Sequence, residues 1–179
     1  MTAVRFTATL RRPATPASAT WTFVVLPKAA SAKLPTRGTV AVEGTLGDAP
    51  FVALAVPDGQ GSHWLKIERK VRDAAGVRAG DDVTLAIAPT DREPEPKIPA
   101  DLRAALADAA PASRAAWNAL KPGQRRDWID WITMPKKAET RAKRIAAACD
   151  MLASGKRRVC CFDRSGIYGG GFAAPEALE

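Results

Sequence analysis

Thr90-Asp91-Arg92-Glu93-Pro94-Glu95-Pro96-Lys97-Ile98-Pro99 divides the chain into two kinds of pattern, and three prolines fall within its last six residues. Proline locks φ and removes a backbone donor. The stretch therefore cannot join a helix or a central strand, and it reads as an extended, fairly stiff spacer, taken here as residues 91–98. Before it, apolar residues recur with period two. After it, they recur at helical spacing.

Upstream, Val4-Arg5-Phe6-Thr7-Ala8-Thr9-Leu10 and Gly38-Thr39-Val40-Ala41-Val42-Glu43-Gly44 alternate as strands with one buried face. Trp21-Thr22-Phe23-Val24-Val25-Leu26 is a short apolar strand ended by Pro27. Phe51-Val52-Ala53-Leu54-Ala55-Val56 stops at the turn signal Pro57-Asp58-Gly59. His63-Trp64-Leu65-Lys66-Ile67 and Val83-Thr84-Leu85-Ala86-Ile87-Ala88 complete a set of six. Short strands at this spacing predict a small β-barrel over residues 1–90 rather than a sandwich. Between the last two strands, the spacing predicts a short helix ending at Gly76 and a tight turn at Gly80-Asp81.

Downstream, helices are predicted over 101–109, 112–120, 124–133 and 137–154. Pro111 ends the first, Pro122-Gly123 breaks the chain before the third, and Gly155 caps the last, with Lys156, Arg157 and Arg158 suited to its negative end. The expected fold is α+β: an N-terminal barrel, then a bundle of three or four short helices over 99–158. Residues 159–179 form a tail with a glycine run at 169–171.

Lys and Arg number 27 against 19 Asp and Glu, giving +8. The excess is concentrated between residues 121 and 158, where 11 bases face 4 acids. Such charge bears on solubility and anion binding, not on fold. Three cysteines, an odd number, argue against a disulfide framework and for a reducing compartment. The N-terminus is strand-like and polar, without the apolar core of a signal peptide, and no apolar run reaches the ~18–20 residues of a membrane span. The expectation is a cytoplasmic protein.

Candidate site residues cluster in Met134-Pro135-Lys136-Lys137-Ala138-Glu139-Thr140-Arg141-Ala142-Lys143-Arg144. Lys136, Lys137, Arg141 and Arg144 lie near a helix start, where free backbone N–H groups favour anions, and spacings of three and four residues let them share a face. The alternative is a solvated face with Glu139 and Asp130 as partners. Thr140 as a helix cap, or Glu139 against the helix dipole, is the structural reading of Glu139-Thr140-Arg141. Trp131, beside Trp128 and close to Arg125 and Arg126, can stack an aromatic ligand or a base. Trp117 and Trp128 are expected in the core. His63 is the only histidine, read as a polar partner at a barrel mouth rather than a general base. Cys149 falls in an apolar helical stripe, and the adjacent Cys160 and Cys161 follow three bases. The chain supplies no cysteine–histidine set for zinc and no catalytic constellation, so neither a metal nor a cofactor is expected.

Two resemblances rest on these residues. Trp21, Phe23, Pro27, Gly44, Gly59, Gly61, His63, Leu65, Gly76, Gly80, Asp81 and Val83 resemble a small barrel domain of unknown function, whose relatives look like double-split barrels. Ile98-Pro99, Asp101-Leu102, Ala105-Leu106, Trp117, Leu120, Arg125-Arg126, Trp128, Trp131-Ile132, Lys136/Lys137, Glu139-Thr140-Arg141, Arg144-Ile145, Leu152 and Gly155-Lys156 resemble the YdeI/OmpD-associated, or bacteriocin-protection, family over about 97–158. Pro135 departs from that pattern, standing where relatives have a small residue, and should bend the join between the last two helices. The resemblance implies a non-enzymatic cytoplasmic protein of bacteriocin or envelope-stress protection, binding a small molecule or peptide. Two alternatives stay open. One is weak nucleic-acid binding by the barrel and basic helix, since similar barrels serve dimeric DNA-binding regulators, which also brings in a homodimer. The other is an enzyme with a site at the domain junction, drawing on His63, Lys136 and Arg141.

Overall fold

The computed structural model describes residues 3–159 and 173–178. By contacts the chain forms two units: residues 1–94 with 165–179, and residues 95–164.

The first unit holds six antiparallel strands: β1 (Val4–Thr9), β2 (Thr22–Val25), β3 (Val40–Leu46), β4 (Ala49–Pro57), β5 (His63–Ile67) and β6 (Asp82–Pro89). Their order in the sheet is β1-β6-β3-β4-β5-β2. The sheet nearly closes into a barrel, because Arg11, just past β1, exchanges both backbone hydrogen bonds with Phe23 of β2 at 2.8 Å. Alternation decides which face is inside. Val42, Ala55, Leu65, Leu85 and Ile87 are fully buried in one apolar cluster, while their neighbours along each strand face outward.

Several turns follow from single residues. Gly47, with φ 55°, makes the two-residue connection of β3 to β4. The Asp58 carboxylate accepts the N–H groups of Gln60 and Ser62, each at 2.8 Å, and shapes the loop into β5. Gly44 has another purpose. A Cβ there would lie 2.0 Å from the Ala86 carbonyl oxygen, so only glycine lets β3 and β6 approach so closely. Two short helices complete the unit: α1 (Lys28–Ser31), which the periodicity did not reveal, and α2 (Arg69–Ala74), followed by Gly76 at φ 67°.

The second unit holds α3 (Ala100–Asp108), α4 (Pro111–Asn118), α5 (Pro122–Thr133) and α6 (Ala138–Ala153). Leu102, Trp117, Trp128, Ile132, Ala148 and Leu152 lead its buried cluster. Trp128 is fully buried, and its indole N–H finds the Arg157 carbonyl at 3.4 Å. Truncation of such a side chain to alanine costs about 3–5 kcal/mol. Ser113 of α4 is also buried, donating to the Cys149 carbonyl of α6 at 2.8 Å. Pro122 opens α5 at its first turn rather than breaking the chain, since the first helical N–H needs no intrahelical partner. Among the described residues, no helix is long and apolar enough to cross a membrane.

Residues 173–178 return to the first unit, where Ala177 bridges Pro13. Cys160, Cys161 and the glycine run lie outside the described residues.

Candidate functional site

The corner between α5 and α6 is built by Pro135. Helix α5 stops at Thr133, Met134 is its C-cap, and α6 begins only at Ala138, with Lys137 as an N-cap that makes no side-chain cap bond. Thr140 therefore sits inside the helix and caps nothing. The structural role falls instead to Glu139, in the first turn of α6, whose carboxylate takes Lys143 at 2.7 Å.

The four candidate cations divide in two. Arg141 grips Asp101 of α3 with both arms of its guanidinium, at 2.6 and 3.0 Å. That hydrogen bond, aided by the Leu102 N–H, holds the Asp101 carboxyl below its ordinary range and raises Arg141. Arg144 lies over the half-buried Trp131 ring, 5.0 Å from its centroid, and donates to the Trp131 carbonyl at 2.6 Å. Trp131 in turn meets Trp128 edge-on, with centroids 6.2 Å apart. Lys136 and Lys137 are exposed and, among the described residues, have no ion pair. Asp130 was expected to partner the cluster. Its electrostatic neighbours are Arg126 and Asp127, and the protein packed around it raises its carboxyl even though the side chain keeps a solvent-exposed surface.

Arg144 belongs to a wider arrangement. Arg114 of α4 reaches back to the Ala107 and Ala109 carbonyls that end α3, at 2.7 and 3.0 Å. Arg125 of α5 does the same to Trp117 and Asn118 at the end of α4, at 3.3 and 2.9 Å, and also meets Glu95 at 2.9 Å. Helices α3, α4 and α5 have Ala109, Ala119 and Met134 at their C-caps and no terminal glycine. In each case an arginine of the next helix satisfies the orphan carbonyls and sits at the negative end of the dipole. The sequence carries a signal for two of these contacts. Pro111-Ala112-Ser113-Arg114 and Pro122-Gly123-Gln124-Arg125 repeat proline at the first helical position with arginine three residues on.

His63 lies in the other unit, where it is the first residue of β5 and is buried. Its Nε2 is 2.9 Å from the Gly38 carbonyl, which can only accept, so Nε2 carries the proton. Its Nδ1 then accepts from the buried Ser31 hydroxyl at 2.7 Å. Ser31 ends α1, so the pair ties that helix and the loop before β3 to the first residue of β5. Trp21, just before β2, packs with Phe23 of β2 and Trp64 of β5, and Lys66 lies over the Trp21 ring at 5.3 Å.

Residues 95–155 match the family described as Bacteriocin-protection, YdeI or OmpD-Associated, and residues 6–87 match Domain of unknown function (DUF1905). The chain joins a DUF1905 barrel to a YdeI/OmpD-associated domain. No curated protein matches it. The YdeI/OmpD-associated domain contains all four basic candidates and Trp131, whereas the DUF1905 domain contains His63. Cys149, in the former, is half-buried, and burial followed by the Asp150 charge pushes its thiol up, away from reactivity.

Proposed function

We propose that the protein is a non-enzymatic, cytoplasmic binding protein of bacteriocin protection, taking an anionic peptide or small molecule at the α5–α6 corner of its YdeI/OmpD-associated domain. One observation carries the reading. Between α5 and α6, Lys136 and Lys137 stand exposed and, among the described residues, make no ion pair, while Arg141 and Arg144 of α6 are committed to Asp101 and to the end of α5. A committed arginine would have to abandon a carboxylate or a helix end to reach a ligand. A free ammonium need only shed water. The half-buried Trp131, near the end of α5, would supply apolar contact. Binding rather than chemistry is further supported by the barrel, where Ser31 and His63 satisfy each other in the interior.

The test is survival of a bacteriocin-sensitive bacterium expressing the full chain or its Lys136→Glu/Lys137→Glu variant. Wild type should protect, and the double variant should lose protection while its melting temperature stays within a few degrees. Equal protection by both would remove the corner from the function. Titration with duplex DNA separates the nucleic-acid alternative. Only weak binding, falling steeply with salt, is expected. A tight complex at physiological salt would favour that alternative.

A further inference from the structure

The stretch from Leu10 to Ala14 has strands on both sides. Arg11 directs its N–H and carbonyl to Phe23 of β2. By the alternation of an extended chain, Leu10, Arg12 and Ala14 direct theirs the other way. Leu10 uses that side to meet the start of β6, accepting from Gly80 at 2.7 Å and donating to Asp81 at 2.9 Å. Gly80, with φ 98°, turns the chain away, and the ladder beyond it would be left open. Residues 173–178 fill it. Ala14 donates to the Glu176 carbonyl and Leu178 donates to the Arg12 carbonyl, both at 2.8 Å. Pro13 faces Ala177 between these bonds, where its missing N–H is not needed by the tail.

The hold is slight. Among the described residues two backbone bonds fix the segment, Glu176 is exposed, and Leu178 leaves 53% of its surface in water. The charges are complementary: residues 10–16 carry two arginines and no acid, while residues 173–178 carry one acid and no base. An edge with open N–H and C=O groups accepts an extended peptide as an added strand. We infer that the edge formed by Arg12, Pro13 and Ala14 is a peptide-accepting site for an acidic extended segment, kept closed in cis by the bridging segment at residues 173–178. Being tethered, the bridging segment has a high effective concentration at its own edge. A partner must therefore outcompete it, and removing it opens the site.

The experiment uses a fluorescent peptide of residues 173–178 with the full chain and with a chain ending at residue 172, followed by anisotropy. The shortened chain should bind the peptide, and the full chain should bind it at least about tenfold more weakly. A Glu176→Lys peptide should bind less well, and Ala14→Pro in the shortened chain, which removes the donor, should abolish binding. A folded shortened chain that ignores the peptide, or equal binding by both chains, overturns the inference. Undiminished binding of the lysine peptide overturns the acidic preference. If the shortened chain does not fold, hydrogen exchange on the full chain decides. Ala14 and Leu178 amides exchanging together, at least ~100-fold faster than the Phe6 amide of β1, support a displaceable segment. Protection equal to that of Phe6 overturns it.

Discussion

Replacing Gly44 with alanine would set a methyl carbon 2.0 Å from the Ala86 carbonyl oxygen and 2.9 Å from both the Ala86 carbonyl carbon and the Ile87 Cα. All three neighbours are backbone, so no side chain can rotate away. Relief requires β3 and β6 to part where Gly44 lies opposite Ile87, and β3 is simultaneously held by β4 through Phe51. Overpacking costs about 1–3 kcal/mol where side chains can adjust, and a clash confined to backbone belongs at or above the upper end. Alanine returns up to about 1 kcal/mol by restricting the unfolded chain. The net loss is then about 2 kcal/mol or more, equivalent to a fall of roughly 8–16 °C in the melting temperature of a domain this size. The assay is thermal and urea unfolding of the full chain, with fluorescence and circular dichroism recorded together. A variant as stable as wild type, or more stable, would refute the close approach of β3 and β6.

Arg125→Met should destabilise the helical unit by about 1 kcal/mol, with Arg125→Lys restoring only part of it, because one ammonium cannot span the Trp117 and Asn118 carbonyls as a guanidinium does; urea midpoints decide. Ser31→Ala removes the hydroxyl partner of His63 Nδ1 and should cost about 1–3 kcal/mol in barrel stability, whereas a change below about 0.5 kcal/mol would contradict the buried pair. Asp101 has a depressed carboxyl, so its contribution is fully present above the ordinary carboxylate range and is lost as pH falls through the folded-state value. Asp101→Asn should therefore be less stable than wild type near neutrality, by about 0.2–1 kcal/mol for so exposed a pair, and the difference should vanish in acid melts.

The two halves of the fold could be read from local pattern because alternation and helical spacing are properties of adjacent residues. Val4 to Leu10 and the apolar residues of α6 declare themselves without knowledge of their partners. What escaped was long-range or very short. Helix α1 spans four residues behind Pro27, too few to show a period. Ser31 and His63 are 32 residues apart, and nothing local links them. Asp101 and Arg141 are 40 apart, and local spacing offers the arginine only Glu139 and Asp130 as acids. Spacing alone groups Lys136 and Lys137 with Arg141 and Arg144 on one face. Their division into free and committed cations depends on Asp101 and on the end of α5, which only the packed bundle brings into reach. The segment at 173–178 carries Pro175 and little apolar alternation, so its bridge is visible only once residues 12–14 present an edge.

The measurement that bears most directly on the proposed function is an NMR titration of the isotopically labelled full chain with hexaglutamate at physiological salt. The amides of Lys136, Lys137 and Ala138 and the indole N–H of Trp131 should shift together and saturate, with the Arg141 and Arg144 side-chain signals nearly still, and the response should disappear in Lys136→Glu/Lys137→Glu. Shifts spread over the basic surface without saturation, or a response centred on the two arginines, would contradict the assignment of the α5–α6 corner as the binding site.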